Sequence, residues 1–398
     1  MTLRQLDRDI LVPGKPIGFD VVDASGRILL PMGTPLADEA QAKLLWTRGY
    51  RMEEERAPPT RAASFQAPPP SAWRQRPKSS GGISNAPKFF QPVERLSFQL
   101  EEIFSDLLNG VGSSLPERIL ELSRAIQIQL GRDADALLAA MELSSNTRYG
   151  TLHALHSAAL CDLVASSQGI PSDDRRTLIA AALTRDVGFL ELQDDLDRQS
   201  DSLTAEQQDL VRMHPLASAQ MLREAAVTDP VWLSAVEQHH ERLNGSGYPR
   251  GIAADSVQSQ ACLLGIADIY SAMTKPRAYR AAILGPNAIH SIFQTRGSLV
   301  DEACTQSFIR TLGVYSPGLL VRLANREIGV VVRRTENLKA PDVRVVADPE
   351  GKLLQIYPSR DVADPDFSIV EVLPRASSLR DKLNHRQLWG ENHLASRR

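Results

Sequence analysis

The sequence predicts a mainly α protein: a helical bundle with a small β-rich module before it and a small β appendix behind it. Apolar residues recur at helical spacing through the middle of the chain, and period-two runs occupy both flanks. A Pro/Ser/Ala/Gly-rich stretch separates the first flank from the middle. At 398 residues the chain exceeds what one core usually supports, so more than one folding unit is expected. Hydrophobic residues make up 42% and charged residues 23%, the balance of a soluble globular chain.

The first module, 1–55, contains PIGFDVVDASGRILLPMGTPL, in which Asp23-Ala24-Ser25-Gly26 reads as a turn between two strands. A short helix from Asp38 to Arg48 follows, with apolar positions at Leu44, Leu45 and Trp46, and Gly49 stops it. Residues 56–92 (RAPPTRAASFQAPPP, PKSSGGISNAPK) lack the apolar surface to order themselves and read as a linker. Residues 93–314 read as the helical domain. Leu115, Ile119, Leu122 and Ile126 step by four, three and four, and Ser114 with Glu117 fits a capping box. Further helices are predicted over 133–146, 148–168, 173–185, 204–226 and 230–242. Beyond Tyr315, LLVRL, EIGVVVRR, VRVVAD and LLQIYP are strand candidates of an appendix spanning 315–375, and 376–398 reads as a weakly ordered tail.

Composition excludes several functions. No run approaches the ~18 apolar residues of a membrane span, and the charged N-terminus, MTLRQLDRDILVPGKP, does not resemble a signal peptide. A cytoplasmic location without membrane contact is expected. A net charge of −3 and the lack of a long basic run argue against nucleic acid as a partner, so an anionic ligand needs a local site. Cys161, Cys262 and Cys304 form no CxxC pair and read as small core residues.

The stretch richest in chemistry is HHERLNGSGYPRG, His239 to Gly251. Adjacent histidines on a regular helix diverge by about 100°, so both reach one ion only near a helix end, which Asn244-Gly245-Ser246-Gly247 supplies. Glu241 reads either as a partner behind these ligands or as a solvent-facing residue. His156 in LHALHSAAL, Asp186 in LTRDVGF, His214 before Pro215 and Asp268 in LLGIADIYSAM complete a candidate metal set. Each alone has an ordinary reading: a core histidine, a partner of Arg185, a helix cap. Asp268 stands out, because burying an acid in an apolar helix is costly unless it is paired or bound to a cation.

HHERLNGSGYPRG resembles the HHExxDGxGYPxG signature of HD-GYP domains, the metal-dependent phosphodiesterases of bacterial cyclic di-GMP signalling. The resemblance continues through Tyr149, His156-Ser157, Arg185-Asp186-x-Gly188, His214-Pro215, Ala267-Asp268-x-Tyr270, Arg277-x-Tyr279-Arg280 and LGVYSPGLLVRLANREIGVVV, covering about Leu137 to Arg333. It implies an HD-type helical bundle. It also implies one metal held by Asp186, His214, His239 and His240, and another held by His156, Asp186, Asp268 and an HD histidine. That histidine is replaced by Arg185, whose guanidinium cannot ligate a cation. The motif lysine is Phe189, the aspartate before GxGYP is Asn244, and the second acid of ADxxDA is Ser271. A glutamate four residues before the first histidine, which serves a third metal in some members, is Leu152 here, so the resemblance implies no trinuclear site.

The resemblance therefore implies at most one divalent transition ion (iron, manganese, zinc or nickel), or none, with Asp186 as the residue any catalysis depends on. Arg185, placed between Asp186 and Asp268, would keep the pocket cationic. The family's nucleotide contacts map to Tyr248, Arg277 and Arg280, with cyclic di-GMP as the ligand. Three readings stay open: a catalytically impaired binding effector, a weak cyclic di-GMP phosphodiesterase, and a scaffold docking diguanylate-cyclase domains or other signalling proteins. The sequence leaves the oligomeric state open.

Overall fold

The computed structural model describes residues 2–6, 11, 13–14, 21–23, 28–30, 36–53, 72–75, 87–111, 114–145, 147–199, 201–274, 283, 285–374 and 379–390. The chain divides into two units, Met1–Ala67 and Pro68–Arg398.

In the first unit, β1 (Thr2–Gln5), β2 (Val21–Val22), β3 (Ile28–Leu30), α1 (Glu39–Arg48) and β4 (Tyr50–Glu53) follow in order, and the antiparallel sheet runs β1-β4-β2-β3. Asp38 caps α1 by accepting from Gln41 N at 2.8 Å. Leu45 turns into a core with Leu6, Val21, Leu30 and Leu36, whereas Leu44 and Trp46 stay exposed. Gly49 is obligatory, since an added Cβ would stand 2.5 Å from Leu45 O and 2.6 Å from the Val21 side chain. The turn at Ala24–Gly26 lies outside the described residues. Strands β1 and β4 were not predicted: each is only four residues long, although Tyr50-Arg51-Met52-Glu53 alternates apolar and polar.

The second unit begins with a single 3-10 turn, Ala72–Arg74, inside the stretch predicted to be a linker. Trp73 is buried against Phe104, the Arg148 guanidinium lies 4.7 Å over its ring, and Arg74 pairs with Glu191 at 3.0 Å. This turn is therefore an anchored part of the helical unit. Among the described residues ten α-helices follow before the appendix: α2 (Gln91–Leu108), α3 (Leu115–Leu143), α4 (Tyr149–Ser167), α5 (Ser172–Thr184), α6 (Leu190–Arg198), α7 (Ala205–Glu224), α8 (Pro230–Gln238), α9 (Ser259–Thr274), α10 (Gly285–Gln294) and α11 (Glu302–Leu312). Helix α3 is kinked at Asp133 (φ −161°, ψ 93°), whose carboxylate accepts from Ala136 N and restarts the helix at the break the sequence predicts. Ser114 makes no side-chain cap on α3, but Thr204 and Gln207 form a capping box on α7.

Helix α4 is buried on all sides from Gly150 to Asp162, as its nearly continuous apolar sequence requires, and it packs against α3, α5 and α9. It is the centre of the bundle. The appendix holds β5 (Leu320–Leu323), β6 (Ile328–Arg333), β7 (Asp342–Ala347), β8 (Ser359–Arg360) and β9 (Ile369–Val372) in antiparallel order β8-β7-β6-β5-β9. LLQIYP forms only a bridge between Leu353 and Ala347, because the chain there turns toward β8. Arg333 fastens the sheet to the α3 kink through Asp133 at 2.9 Å. The tail departs from its predicted disorder: α12 (His385–Trp389) is docked, with Trp389 stacked on Phe89 at 4.6 Å and donating to Val332 O. Residues 391–398 lie outside the described set.

Candidate metal and nucleotide site

Three helices, α4, α7 and α9, and the turns after α5 and α8 bring the site together. Asp186 lies in the turn after α5, where Gly188 allows close packing; a Cβ there would stand 2.6 Å from Ser218 N on α7. His214 is on α7. Helix α8 ends at Gln238, so His239 and His240 leave it through a turn and both face inward. Helix α9 approaches that turn at Gly265, where a Cβ would stand 2.6 Å from His239 O. Glu241 is neither of the two things predicted. It is buried, and its two oxygens accept from Arg250 N at 2.8 Å and Ile252 N at 3.1 Å, pinning the GYP loop.

His214 Nδ1 lies 2.7 Å from Val211 O, and His239 Nδ1 lies 2.7 Å from Val236 O. A carbonyl only accepts, so both Nδ1 atoms carry a proton, and the ring atom that each histidine turns inward is Nε2. Those two Nε2 atoms stand 3.3 Å apart, and Asp186 Oδ1 is 3.3 Å from the first and 4.0 Å from the second. Converging imidazole nitrogens beside a carboxylate suit a cation. The two separations of 3.3 Å match neighbouring ligands on an ion with bonds of about 2.1 Å. His240 offers a third nitrogen within 4.8 Å of the other two. Burial lowers His239 to about 4, helped by the neighbouring His214, and burial followed by the charge of His239 holds His240 well below its ordinary value. The residues fit one divalent transition ion.

A second group, His153, Asp186 and Asp268, also has donor atoms within 4.8 Å of one another. Here a cation is already built in. Arg185 is fully buried; its Nε donates to Asp268 Oδ1 at 3.0 Å and its Nη1 to Ala182 O at 2.6 Å. Its Nη2 lies 2.9 Å from Asp268 Oδ1 and 3.3 Å from Asp186 Oδ2, a contact of charge rather than a directed hydrogen bond. Burial pushes Asp186 toward the neutral acid, but Arg185 and then His214 overturn that and hold its carboxyl well below the usual range. Asp268 behaves alike through Arg185 and then His153. A second ion would have to displace the guanidinium, so the residues do not fit one.

His156 is a correction. The histidine facing Asp268 is His153, with Nε2 2.9 Å from Asp268 Oδ1, while His156 Nδ1 contacts Ser271 Oγ at 3.0 Å. Residues three apart on a helix differ by only about 60° in direction, so both histidines of LHALHS reach Ser271, but only His153 reaches Asp268. The position four residues before the facing histidine is then Tyr149, which stacks on His153 at 5.4 Å and supplies no carboxylate. Tyr248 lies over His240, with ring centroids 4.5 Å apart, and Phe189 stands 5.2 Å from His214. Arg277 and Arg280 lie outside the described residues.

The family model for the HD domain matches residues 136–304. A cyclic di-GMP phosphodiesterase of Pseudomonas aeruginosa is 28% identical over 234 residues, covering 58% of this chain and 56% of that protein. The cyclic di-GMP phosphodiesterase response regulator RpfG of Xanthomonas campestris is 25% identical, covering 55% and 54%. A 3'3'-cGAMP-specific phosphodiesterase of Vibrio cholerae is 27% identical, covering 58% and 50%. The chain thus spans about half the length of these curated relatives. A solved structure of an HDG"Y"P protein of Bdellovibrio bacteriovorus overlays with a TM-score of 0.46 at 16% identity, over 77% of this chain and 98% of that one. Among the described residues no helix is long and apolar enough to cross a membrane.

Proposed function

From this chain's membership of the HD-GYP family, we propose that it is a cyclic di-GMP signalling protein that binds the nucleotide over a single divalent transition ion and is impaired in hydrolysing it. The observation that carries the impairment is the buried Arg185 guanidinium between Asp186 and Asp268. The relatives are hydrolases and speak for the nucleotide, not for the impairment.

Asp186, His214, His239 and His240 would hold the ion. When bound, it supplies Lewis-acid polarisation of a phosphoryl oxygen and an acidified water. Arg185 keeps positive charge at the neighbouring position and helps the pocket tolerate a phosphate. A guanidinium offers no open ligand position, however, so it orients no attacking water. Phe189 near His214 places a ring where the family pattern has a lysine, which removes a further cation. Tyr248 offers a face for a base, and Arg277 and Arg280 carry forks suited to phosphate. Loss of one ion's stabilisation lowers the rate by roughly two to four orders of magnitude.

A weak phosphodiesterase is the second reading, favoured by the convergent Nε2 atoms of His214 and His239 beside Asp186. Calorimetry of cyclic di-GMP against protein loaded with manganese or zinc, beside Asp186→Ala, tests the binding claim. Heat of binding that weakens in Asp186→Ala is expected; no heat under any loading would refute it.

A further inference from the structure

We propose that the ring of Phe189 is a stacking platform for a base of the bound cyclic dinucleotide, so that this position grips the nucleotide by its base where the HD-GYP pattern has a lysine. The inference rests on the nucleotide reading above and adds the contact that holds a base beside the ion.

Phe189 lies three residues beyond Asp186, in the turn between α5 and α6. Its backbone is fixed at both ends: Phe189 N donates to Asp186 O at 2.8 Å, and Phe189 O accepts from Gln193 N at 2.8 Å. Gly188 before it donates to Ser218 Oγ at 3.0 Å. The apolar residues on either side, Val187 and Leu190, are buried in the core of the bundle. Among the described residues Phe189 is half-buried and outside that core. A phenyl ring gains most from full burial, so one that a rigid turn holds out of an adjacent core keeps apolar surface for another partner.

The ring lies against His214, with centroids 5.2 Å apart and planes 33° apart. Tyr248 flanks the same histidine from the GYP loop, 6.4 Å from His214 and 4.5 Å from His240. Single apolar residues scattered on a surface are ordinary. Two half-buried aromatic rings beside one candidate metal set meet both needs of a nucleotide: a cation for phosphate and π faces for bases. A lysine at 189 would hold phosphate by charge, which a ring cannot do. Stacking acts away from the phosphorus and binds ground state and transition state alike, so it raises affinity without raising the rate. Phe189 in place of lysine therefore suits a protein that holds its nucleotide.

Calorimetry on manganese-loaded protein should give cyclic di-GMP an affinity about ten- to hundredfold weaker in Phe189→Leu, which keeps apolar bulk and loses the π face. Phe189→Tyr should restore it. Ribose 5-phosphate, which has sugar and phosphate but no base, should bind Phe189→Leu and the unaltered protein equally, and elemental analysis should find their manganese content equal. A loss shared by ribose 5-phosphate or by manganese would mean that the ring only props His214, and undiminished cyclic di-GMP affinity in Phe189→Leu would mean no stacking; either overturns the proposal. In metal-free protein with ¹³C-labelled phenylalanine, the Phe189 ring resonances, identified by their loss in Phe189→Leu, should shift with millimolar GMP; unshifted resonances would also overturn it. That spectrum needs neither ion nor cyclic di-GMP, so it separates failure of the stacking from failure of the nucleotide reading above.

Discussion

Arg185 is a fully buried guanidinium that lies within 3.3 Å of both Asp186 and Asp268. Replacing it with leucine would leave Asp186 and Asp268 facing one another in a buried pocket. Breaking a buried ion pair on one side costs roughly 3–5 kcal/mol. Arg185→Leu is therefore expected to lose about that much in urea unfolding without metal, and to recover part of it when manganese is added, since the ion replaces the missing charge. A loss below about 1 kcal/mol would mean that the two carboxylates do not depend on the guanidinium. At this scale motif order, which carries residue type and spacing, named Arg185, Asp186, His214, His239, His240 and Asp268, whose side chains lie together in the fold. It was uninformative about His153 against His156. Helix phase relative to α9 decides which one faces Asp268, and phase is a tertiary property.

At the scale of elements, Trp73 shows the limit of composition as a guide. The segment around it has too few apolar residues to fold by itself, yet one indole docks in a preformed groove between α2, the first turn of α4 and α6. Gly150 makes room there: a Cβ would stand 3.4 Å from the Trp73 ring and 3.0 Å from Gln193. Trp73→Ala is expected to destabilise the helical unit by about 3–5 kcal/mol, read by thermal or urea unfolding. The period-3.6 helices and period-two strands were legible because a buried face imposes them. The docked tail was not, since its order comes from stacking of Phe89, His385 and Trp389 across distant segments. Burial lowers His385 to about 4, against about 6.5 for the unfolded chain. The unfolded state therefore takes up the proton first. Docking of α12 is at full strength above about pH 6.5 and weakens as pH falls toward 4, by about 2 kcal/mol after allowing for the ring's partial exposure. Urea unfolding at pH 7 and pH 4.5 should show this loss, and His385→Phe should remove the part of the pH dependence that belongs to this residue.

For the whole molecule, an HD-type bundle holding one metal set beside one fixed guanidinium has a thermodynamic signature. Metal binds the folded state through residues that the unfolded chain scatters, so stability should rise with free metal by RT ln(1 + [metal]/Kd), about 2.7 kcal/mol at one hundred times Kd. Asp186→Ala should flatten that rise. The central claim joins binding to impaired turnover, and one measurement addresses both: chromatography of the nucleotide that remains with the protein after incubation of cyclic di-GMP with manganese-loaded protein and removal of free ligand. The account predicts intact cyclic di-GMP, near one per site, over hours. Linear product in the unbound fraction that Asp186→Ala abolishes would contradict it, and so would a protein that retains no nucleotide.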